Sequence, residues 1–221
     1  MNTERKSIYV PIQKGLLKGK KVFIPPPLKG KRNITPSLLK ESMFQLIENF
    51  FGTSFDGSRQ YFITFFDLCA GSGQIGIEAL SRGFSQVHIV EKDKNRFDFI
   101  LNLLKGYQIK NSKLIFHNKD FLRFAKIIPK EKDSVAFIDP PYSFWKNNQY
   151  HHLDFFFKKF FECLKESPNE RKKILFIIQS PIPYELPSYF YPDNPFHIQM
   201  EFVTKHYRKH FLNLIKINLT K

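Results

Sequence analysis

Residues Tyr61-Phe62-Ile63-Thr64-Phe65-Phe66-Asp67-Leu68-Cys69-Ala70-Gly71-Ser72-Gly73-Gln74-Ile75-Gly76 decide the architecture. The run Tyr61–Leu68 is short, apolar and aromatic, the pattern of a strand buried on both faces. Gly71, Gly73 and Gly76 then turn the chain into a helix predicted from Gln74 to Arg82, which Gly83 can end. A strand that passes through a glycine turn into a helix is the opening unit of a parallel sheet.

Outward from this unit the alternation repeats. Strands are predicted at Val87–Val90, Lys113–Phe116, Ser134–Ile138 and Ile174–Gln179, with helices at Lys92–Lys105, Phe121–Ile127 and Leu153–Lys165 between them. Two further runs, Ile198–Thr204 and Phe211–Asn218, flank a basic turn with no helix between them, which predicts an antiparallel hairpin at a sheet edge. The expectation for residues 36–221 is therefore an α/β, Rossmann-like domain. Its sheet has five parallel strands and a closing C-terminal hairpin, seven strands in all, with helices on both faces.

Upstream, residues 1–35 are broken by Gly15, Gly19, Pro25-Pro26-Pro27 and Gly30, and carry nine Lys or Arg against a single acid, Glu4. They read as a basic arm or hairpin outside the core. Thr35 is placed to cap the next helix and Pro36 to occupy its first turn, with Leu39, Met43, Phe44, Leu46 and Ile47 as its apolar stripe.

The formal charge of +15 points to a polyanionic partner, nucleic acid first among them. Lys18, Lys20, Lys21, Lys31 and Arg32, with Lys29, would contact phosphates, as would the cluster Lys205, Arg208 and Lys209. No apolar run approaches the 18 or so residues that span a bilayer, and no secretory signal is legible. Cys69 and Cys163 lack pairing or ligand spacing, so a reduced cytoplasmic setting without a metal is expected. A monomer is expected because a nucleic-acid partner would give the binding surface its size. His151-His152 has no ligand-spaced partner and reads as a solvated helix start. Ser180 lacks an acid–base partner, which removes a hydrolase reading.

The glycine turn alone fits either a dinucleotide or another nucleoside cofactor. Asp67 favours the second. An anion at the strand end is awkward beside a pyrophosphate but suits a ligand carrying an ammonium and a sulfonium. Glu91, ending the next strand, can accept from both ribose hydroxyls. Asp120 is placed to accept from an adenine amine with Phe121 beside the ring, or to cap a helix; the two roles can coexist.

Asp139-Pro140-Pro141-Tyr142 follows the fourth strand and so reaches the same carboxyl edge. An exocyclic base amine is a poor nucleophile because its lone pair is delocalised into the ring. Asp139 and the Pro140 carbonyl supply two acceptors for its hydrogens, the two prolines stiffen the turn, and Tyr142 offers a face for a flipped base. This reading calls for S-adenosylmethionine as methyl donor. Trp145 and Phe144 either line the base pocket or pack the loop.

With these residues in place, the chain resembles the RsmD-type bacterial methyltransferases over nearly its whole length. The similarity runs through Leu17-Lys18-Gly19-Lys20-Lys21-Val22, Arg32-Asn33-Ile34-Thr35, Lys40-Glu41, Met43-Phe44, Asp67–Gly76, Glu78-Ala79-Leu80-Ser81-Arg82-Gly83, Glu91-Lys92-Asp93 and Asp139–Tyr142. The glycine loop and Asp-Pro-Pro-Tyr are widespread among methyltransferases, whereas Glu78–Gly83 and the entry to the first helix are particular. The resemblance implies a class I S-adenosylmethionine-dependent fold and methylation of the guanine N2 amine in 16S ribosomal RNA of the small subunit. It adds Cys69, Ala70 and Lys92 to the cofactor-binding residues and brings Thr35 and Glu41 near the cofactor. Asn33 stands where the family carries proline, Ser37-Leu38 replaces a polar pair, and Tyr207-Arg208 replaces Tyr-Gly. Competing expectations are a DNA adenine-N6 methyltransferase, a non-catalytic RNA-binding assembly factor and an NAD-dependent oxidoreductase.

Overall fold

The computed structural model describes residues 8–25, 34–105, 113–146, 150–166, 171–187 and 198–220. Lys29, Lys31 and Arg32, expected to contact phosphates, lie outside the described residues.

A seven-stranded sheet organises the fold. Its strands in chain order are β3 (Tyr61–Asp67), β4 (Phe84–Val90), β5 (Leu114–His117), β6 (Asp133–Ile138), β7 (Lys172–Ser180), β8 (Ile198–Tyr207) and β9 (His210–Leu219). In space they run β5-β4-β3-β6-β7-β9-β8. The first five in this spatial order are parallel, while β9 lies antiparallel to both β7 and β8. The chain winds outward from β3 through β4 to β5, then returns to β6 on the other side of β3. That reversal makes the β3–β6 boundary the topological switch point, where open α/β sheets bind ligands at the carboxyl edge.

Alternation along the strands explains why both faces are covered. Phe65, Val135, Phe137, Leu175 and Ile177 point into one core, with Leu39, Phe44 and Ile47 of α1 (Ser37–Phe51), Ile75 and Ile77 of α2 (Gln74–Ser81), and Ile100 of α3 (Lys94–Lys105). Phe66, Ala136, Ile138, Phe176 and Ile178 point into the other, beneath two 3₁₀ helices (Phe121–Lys126 and Ile128–Lys130), α4 (Tyr142–Lys146) and α5 (His151–Lys165). In α5 the buried Leu153, Phe156, Phe157, Phe160, Phe161 and Leu164 recur at helical spacing. Phe157 and Phe160 meet Phe176 edge-on, with centroids 5.0 and 4.9 Å apart. The abundant phenylalanine thus builds this layer.

Two expectations are corrected at the N-terminus. First, β1 (Tyr9–Pro11) and β2 (Lys21–Phe23) do form a hairpin, but it is not outside the core: Ile12 and Val22 are buried in the first cluster. Second, Thr35 does not cap α1. Pro36 holds the cap position with extended backbone (ψ 144°), and its carbonyl accepts from Lys40 N at 3.0 Å. Proline fits because a cap residue needs no helical N–H. Strand β4 also begins earlier than its apolar run: Phe84 already pairs with Tyr61, and the Ser85 hydroxyl donates to the Ile63 carbonyl at 3.1 Å.

Candidate active site

Four acidic residues follow from the carboxyl ends of adjacent parallel strands: Asp67 ends β3, Glu91 follows β4, Asp120 lies beyond β5, and Asp139 follows β6. Pairing continues past the strands and fixes the loops there. Leu68 N donates to the Phe137 carbonyl (2.9 Å), Ala70 N to Val90 (2.9 Å), and Glu91 N to His117 (3.1 Å).

The glycine turn is braced from both sides by carboxylates. Gly71 (φ 60°) donates its N–H to Glu91 Oε2 at 2.8 Å, and Gly76 donates to Asp67 Oδ2 at 2.9 Å. Gly73 (φ 75°) caps α2 in the left-handed region, and a Cβ there would lie 3.1 Å from Ile100 Cγ2. Asp67 is 1% exposed, so it braces the loop from behind. Glu91 uses its second oxygen on Asp93 N at 2.8 Å. Both carboxylates retain lone pairs, since each oxygen can accept more than once.

The field in this corner is negative. Burial lifts the Asp67 carboxyl to about 7, opposed by the Gly76 bond and reinforced by Glu91. Burial, then the charge of Asp67, lifts Asp139 to about 7. Burial also pushes the Cys69 thiol well up, and Asp139, Glu91, Asp67 and Asp120 all add to it. The strand order sets all four carboxylates along one edge of the sheet, and their combined charge acts on the Cys69 thiol. It also makes Cys69 a packing residue, since a thiolate is disfavoured there.

Asp139 differs from the other three. Its side chain makes no hydrogen bond to another described residue, whereas Asp67 and Glu91 hold the glycine turn and Asp120 caps the 3₁₀ helix through Leu122 N (3.1 Å) and pairs with Lys92 Nζ (2.8 Å). Pro140 is buried, Pro141 exposed, and Tyr142 is 56% exposed with Lys146 Nζ 5.2 Å from its ring centroid. Phe144 and Trp145 are buried and pack the loop onto the second core, Phe144 against Phe121 and Trp145 against Tyr184. Phe121 itself packs on Phe144 and Phe156, half-buried.

Some expected residues sit elsewhere. Glu41 pairs with Arg82 at 2.6 Å, beside the buried Glu78 and Lys40, far along α2 from the glycine turn. Thr35 is buried next to the cap of α1. Lys18, Lys20 and Lys21 are exposed, and their hairpin turn is tied by Leu16 N to the Ser81 carbonyl (2.9 Å). Ser81 ends α2 at the amino edge of the sheet, about 12 Å of helix from the glycine turn. Ala70 is buried in the turn.

Sequence reading missed Arg96. Its Nη1 lies 3.6 Å from where a Gly71 Cβ would stand, and its Nε is buried without a partner among the described residues. A lone arginine in the first turn of α3 carries no sequence signature. Ser72 Oγ and Gln74 Oε1, in the turn itself, are likewise buried without partners. Among the described residues no three His, Cys, Asp or Glu are grouped to hold a metal ion, and no helix is long and apolar enough to cross a membrane.

Residues 10–165 match the model of the family described as conserved hypothetical protein 95, the RsmD-type family. The chain belongs to this family. Among curated RsmD-type relatives, YlbH of Bacillus subtilis, provisionally named an rRNA methyltransferase, is 36% identical over 110 residues, 49% of this chain and 54% of that protein. Ribosomal RNA small subunit methyltransferase D of Buchnera aphidicola is 29% identical over 140 residues, 62% of this chain and 65% of its own length. The match thus spans between half and two thirds of these relatives. The solved yhhF protein of Escherichia coli superposes with a TM-score of 0.60 at 17% identity, covering 95% of this chain and 98% of that one. HI0767 of Haemophilus influenzae gives 0.54 at 20% identity, covering 96% and 100%. The fold is that of the class I methyltransferases.

Proposed function

We propose that this RsmD-type chain is an S-adenosylmethionine-dependent methyltransferase acting on the exocyclic N2 amine of a guanine in 16S ribosomal RNA. The observation that carries the reading is Asp139: an acceptor with no side-chain hydrogen bond to another described residue, across the switch point from the glycine turn, on the sheet edge it shares with Asp67, Glu91 and Asp120. Family membership supports it, as does the name of the Buchnera relative.

The residues fit the cofactor. Burial first, then the charge of a neighbouring carboxylate, lifts Asp67 and Asp139 to about 7, an environment that suits a ligand bearing positive charge and disfavours the pyrophosphate of NAD. Cys69, Ala70, Gly71 and Gly73 would line the methionine end, with Asp67 bracing the turn behind them. Glu91 would take the ribose hydroxyls. Asp120 and Phe121, with Lys92, would bound the base. Arg96 would meet the amino-acid carboxylate. When bound, S-adenosylmethionine supplies a methyl group activated by its sulfonium.

The remaining chemistry belongs to the chain. Ionised Asp139 accepts one amine hydrogen and the Pro140 carbonyl the other, which turns the nitrogen lone pair toward the donor. Pro141 holds the turn, and Tyr142, exposed at the rim, stacks on the extruded base. As the nitrogen gains a methyl group it sheds a proton. A carboxylate whose pKa lies near neutrality is suited to take it. Lys18, Lys20 and Lys21, with Lys31 and Arg32, supply positive charge for RNA. The protein would act as a cytoplasmic monomer.

The deciding experiment is methyl transfer from labelled S-adenosylmethionine to small ribosomal subunits from cells lacking the gene, with free 16S RNA and DNA alongside. Label recovered as N2-methylguanosine supports the reading. Label only on DNA amines replaces it with the adenine-N6 alternative, and no label despite cofactor binding leaves the assembly-factor alternative.

A further inference from the structure

The C-terminal hairpin places a strained, cationic turn at the active edge of the sheet. Strand β9 runs antiparallel to β7 with Phe211 opposite Ser180, and β7 runs parallel to β6 with Ile178 opposite Ile138. Ser180 is therefore at the carboxyl edge, and the two-residue turn Arg208-Lys209, which joins Tyr207 to its partner His210, projects just beyond it. The turn lies two strand spacings, about 10 Å, to the side of Asp139 and about three residues, roughly 10 Å, further out along the strands.

Three features of the turn call for explanation. Lys205, Arg208 and Lys209 are all exposed, and none is paired with a carboxylate among the described residues. Arg208 is the one non-glycine residue with positive φ (55°) among the described residues. Positive φ at only the first central position is the pattern of a type II′ hairpin turn, where glycine is the unstrained choice. An arginine there costs stability, and strain of this kind persists where the side chain has a use. Finally, the turn is rigidly based: the His206 ring stacks on Phe211, centroids 4.5 Å apart and 13° from parallel.

We infer that the Arg208-Lys209 turn, with Lys205, grips the phosphate backbone of the RNA substrate beside the base presented to Asp139. The inference rests on the proposed RNA substrate. The charge is opposite to that of phosphate, and the edge is the one that bears the chemistry. By contrast, the Lys18–Lys21 turn is anchored to Ser81 at the opposite edge. A carboxylate-lined corner also repels phosphates, so cations at its rim are needed to hold a polyanion there.

The test compares Arg208→Gly/Lys209→Ser with Lys130→Ser/Lys132→Ser, an equal loss of charge next to the amino end of β6. Each is titrated with 16S RNA across a salt series, and each is titrated separately with S-adenosylmethionine. The turn variant is expected to bind RNA about tenfold more weakly near 0.1 M salt, with a log K against log salt slope shallower by about 1.4. Its KM for RNA should rise while cofactor affinity stays within twofold, and Arg208→Gly alone should melt higher than wild type. The Lys130/Lys132 variant should change RNA affinity by less than threefold. Equal losses in both double variants, or a wild-type slope in the turn variant, would overturn the inference. Wild-type protein that binds the cofactor but no RNA would instead sink the RNA reading itself.

Discussion

Glu78 and Lys40 form an ion pair at 3.0 Å between side chains that are 0% and 1% exposed. Glu78 is the hub of a wider joint. Its Oε1 accepts from Arg82 Nε (3.1 Å) and Lys14 N (3.0 Å), and its Oε2 from Gln13 N (2.9 Å). Arg82 continues to Glu41 and covers the Phe44 ring at 4.2 Å. One carboxylate therefore fastens α1, α2 and the N-terminal hairpin together.

Glu78→Gln removes the charge that neutralises two buried cations. Unfolding in urea should show a loss of about 3–5 kcal/mol, the range for breaking a buried pair from one side. Lys40→Met should cost far less. Burial already pulls the Lys40 pKa below its ordinary value against the opposing pull of Glu78, and Glu78 keeps Arg82 and two amides without it. Equal losses in the two variants would refute this hierarchy.

The same joint changes what truncation means. Deleting residues 1–30 removes Ile12 and Val22 from the core and two amide donors from Glu78. The truncated protein should show lost cooperativity in thermal unfolding, so its RNA binding would report on folding. Charge removal alone, Lys18→Ser/Lys20→Ser, should leave the melting temperature within about 2 °C, as exposed substitutions do. A cooperative, fully stable truncation would show that the hairpin is dispensable.

The strands and helices were legible because the sheet is buried on both faces, so each parallel strand reads as an unbroken apolar run such as Phe65-Phe66 or Ile177-Ile178. The glycine turn and Asp-Pro-Pro-Tyr could be assigned to the carboxyl edge because local backbone demands write themselves into sequence. What stayed hidden depends on contacts distant in the chain. Glu78 meets Gln13 across 65 positions and Arg82 meets Glu41 across 41, so the sequence showed Glu78–Gly83 as a segment particular to the family without showing that its buried charges dock α1 and the hairpin. Arg96 was invisible for the same reason: only the return of α3 beneath Gly71 gives it a location.

Gly73→Ala tests the rigidity of the turn. Its φ of 75° is unfavourable for a side chain, and the new Cβ would press Ile100 Cγ2 at 3.1 Å. A stability loss of about 1–2 kcal/mol is expected from the backbone and the contact together. Calorimetry should show weaker S-adenosylmethionine binding, with RNA affinity unchanged. Unaltered cofactor binding would mean that the turn does not contact the cofactor.

Asp139 supplies the last test, in which stability and activity should move oppositely with pH. The folded Asp139 carboxyl is lifted to about 7 from 3.8, so the folded state holds a proton that the unfolded chain has released. The resulting stabilisation is complete below about pH 4 and is lost as pH rises through about 7, a change of up to about 4 kcal/mol. Asp139→Asn stays neutral, so it should be more stable than wild type at pH 8 and indistinguishable at pH 4 by urea unfolding. Activity requires the ionised form as acceptor. For wild type, kcat/KM should climb with pH to a plateau above an apparent pKa near 7, a value belonging to the coupled Asp67–Asp139 pair. Asp139→Ala should lower kcat by roughly 10²-fold or more while cofactor affinity stays within a few fold. A variant that still methylated RNA at the wild-type rate would remove Asp139 from the chemistry, and the pH profile would then have to be assigned to Asp67 acting through the glycine turn.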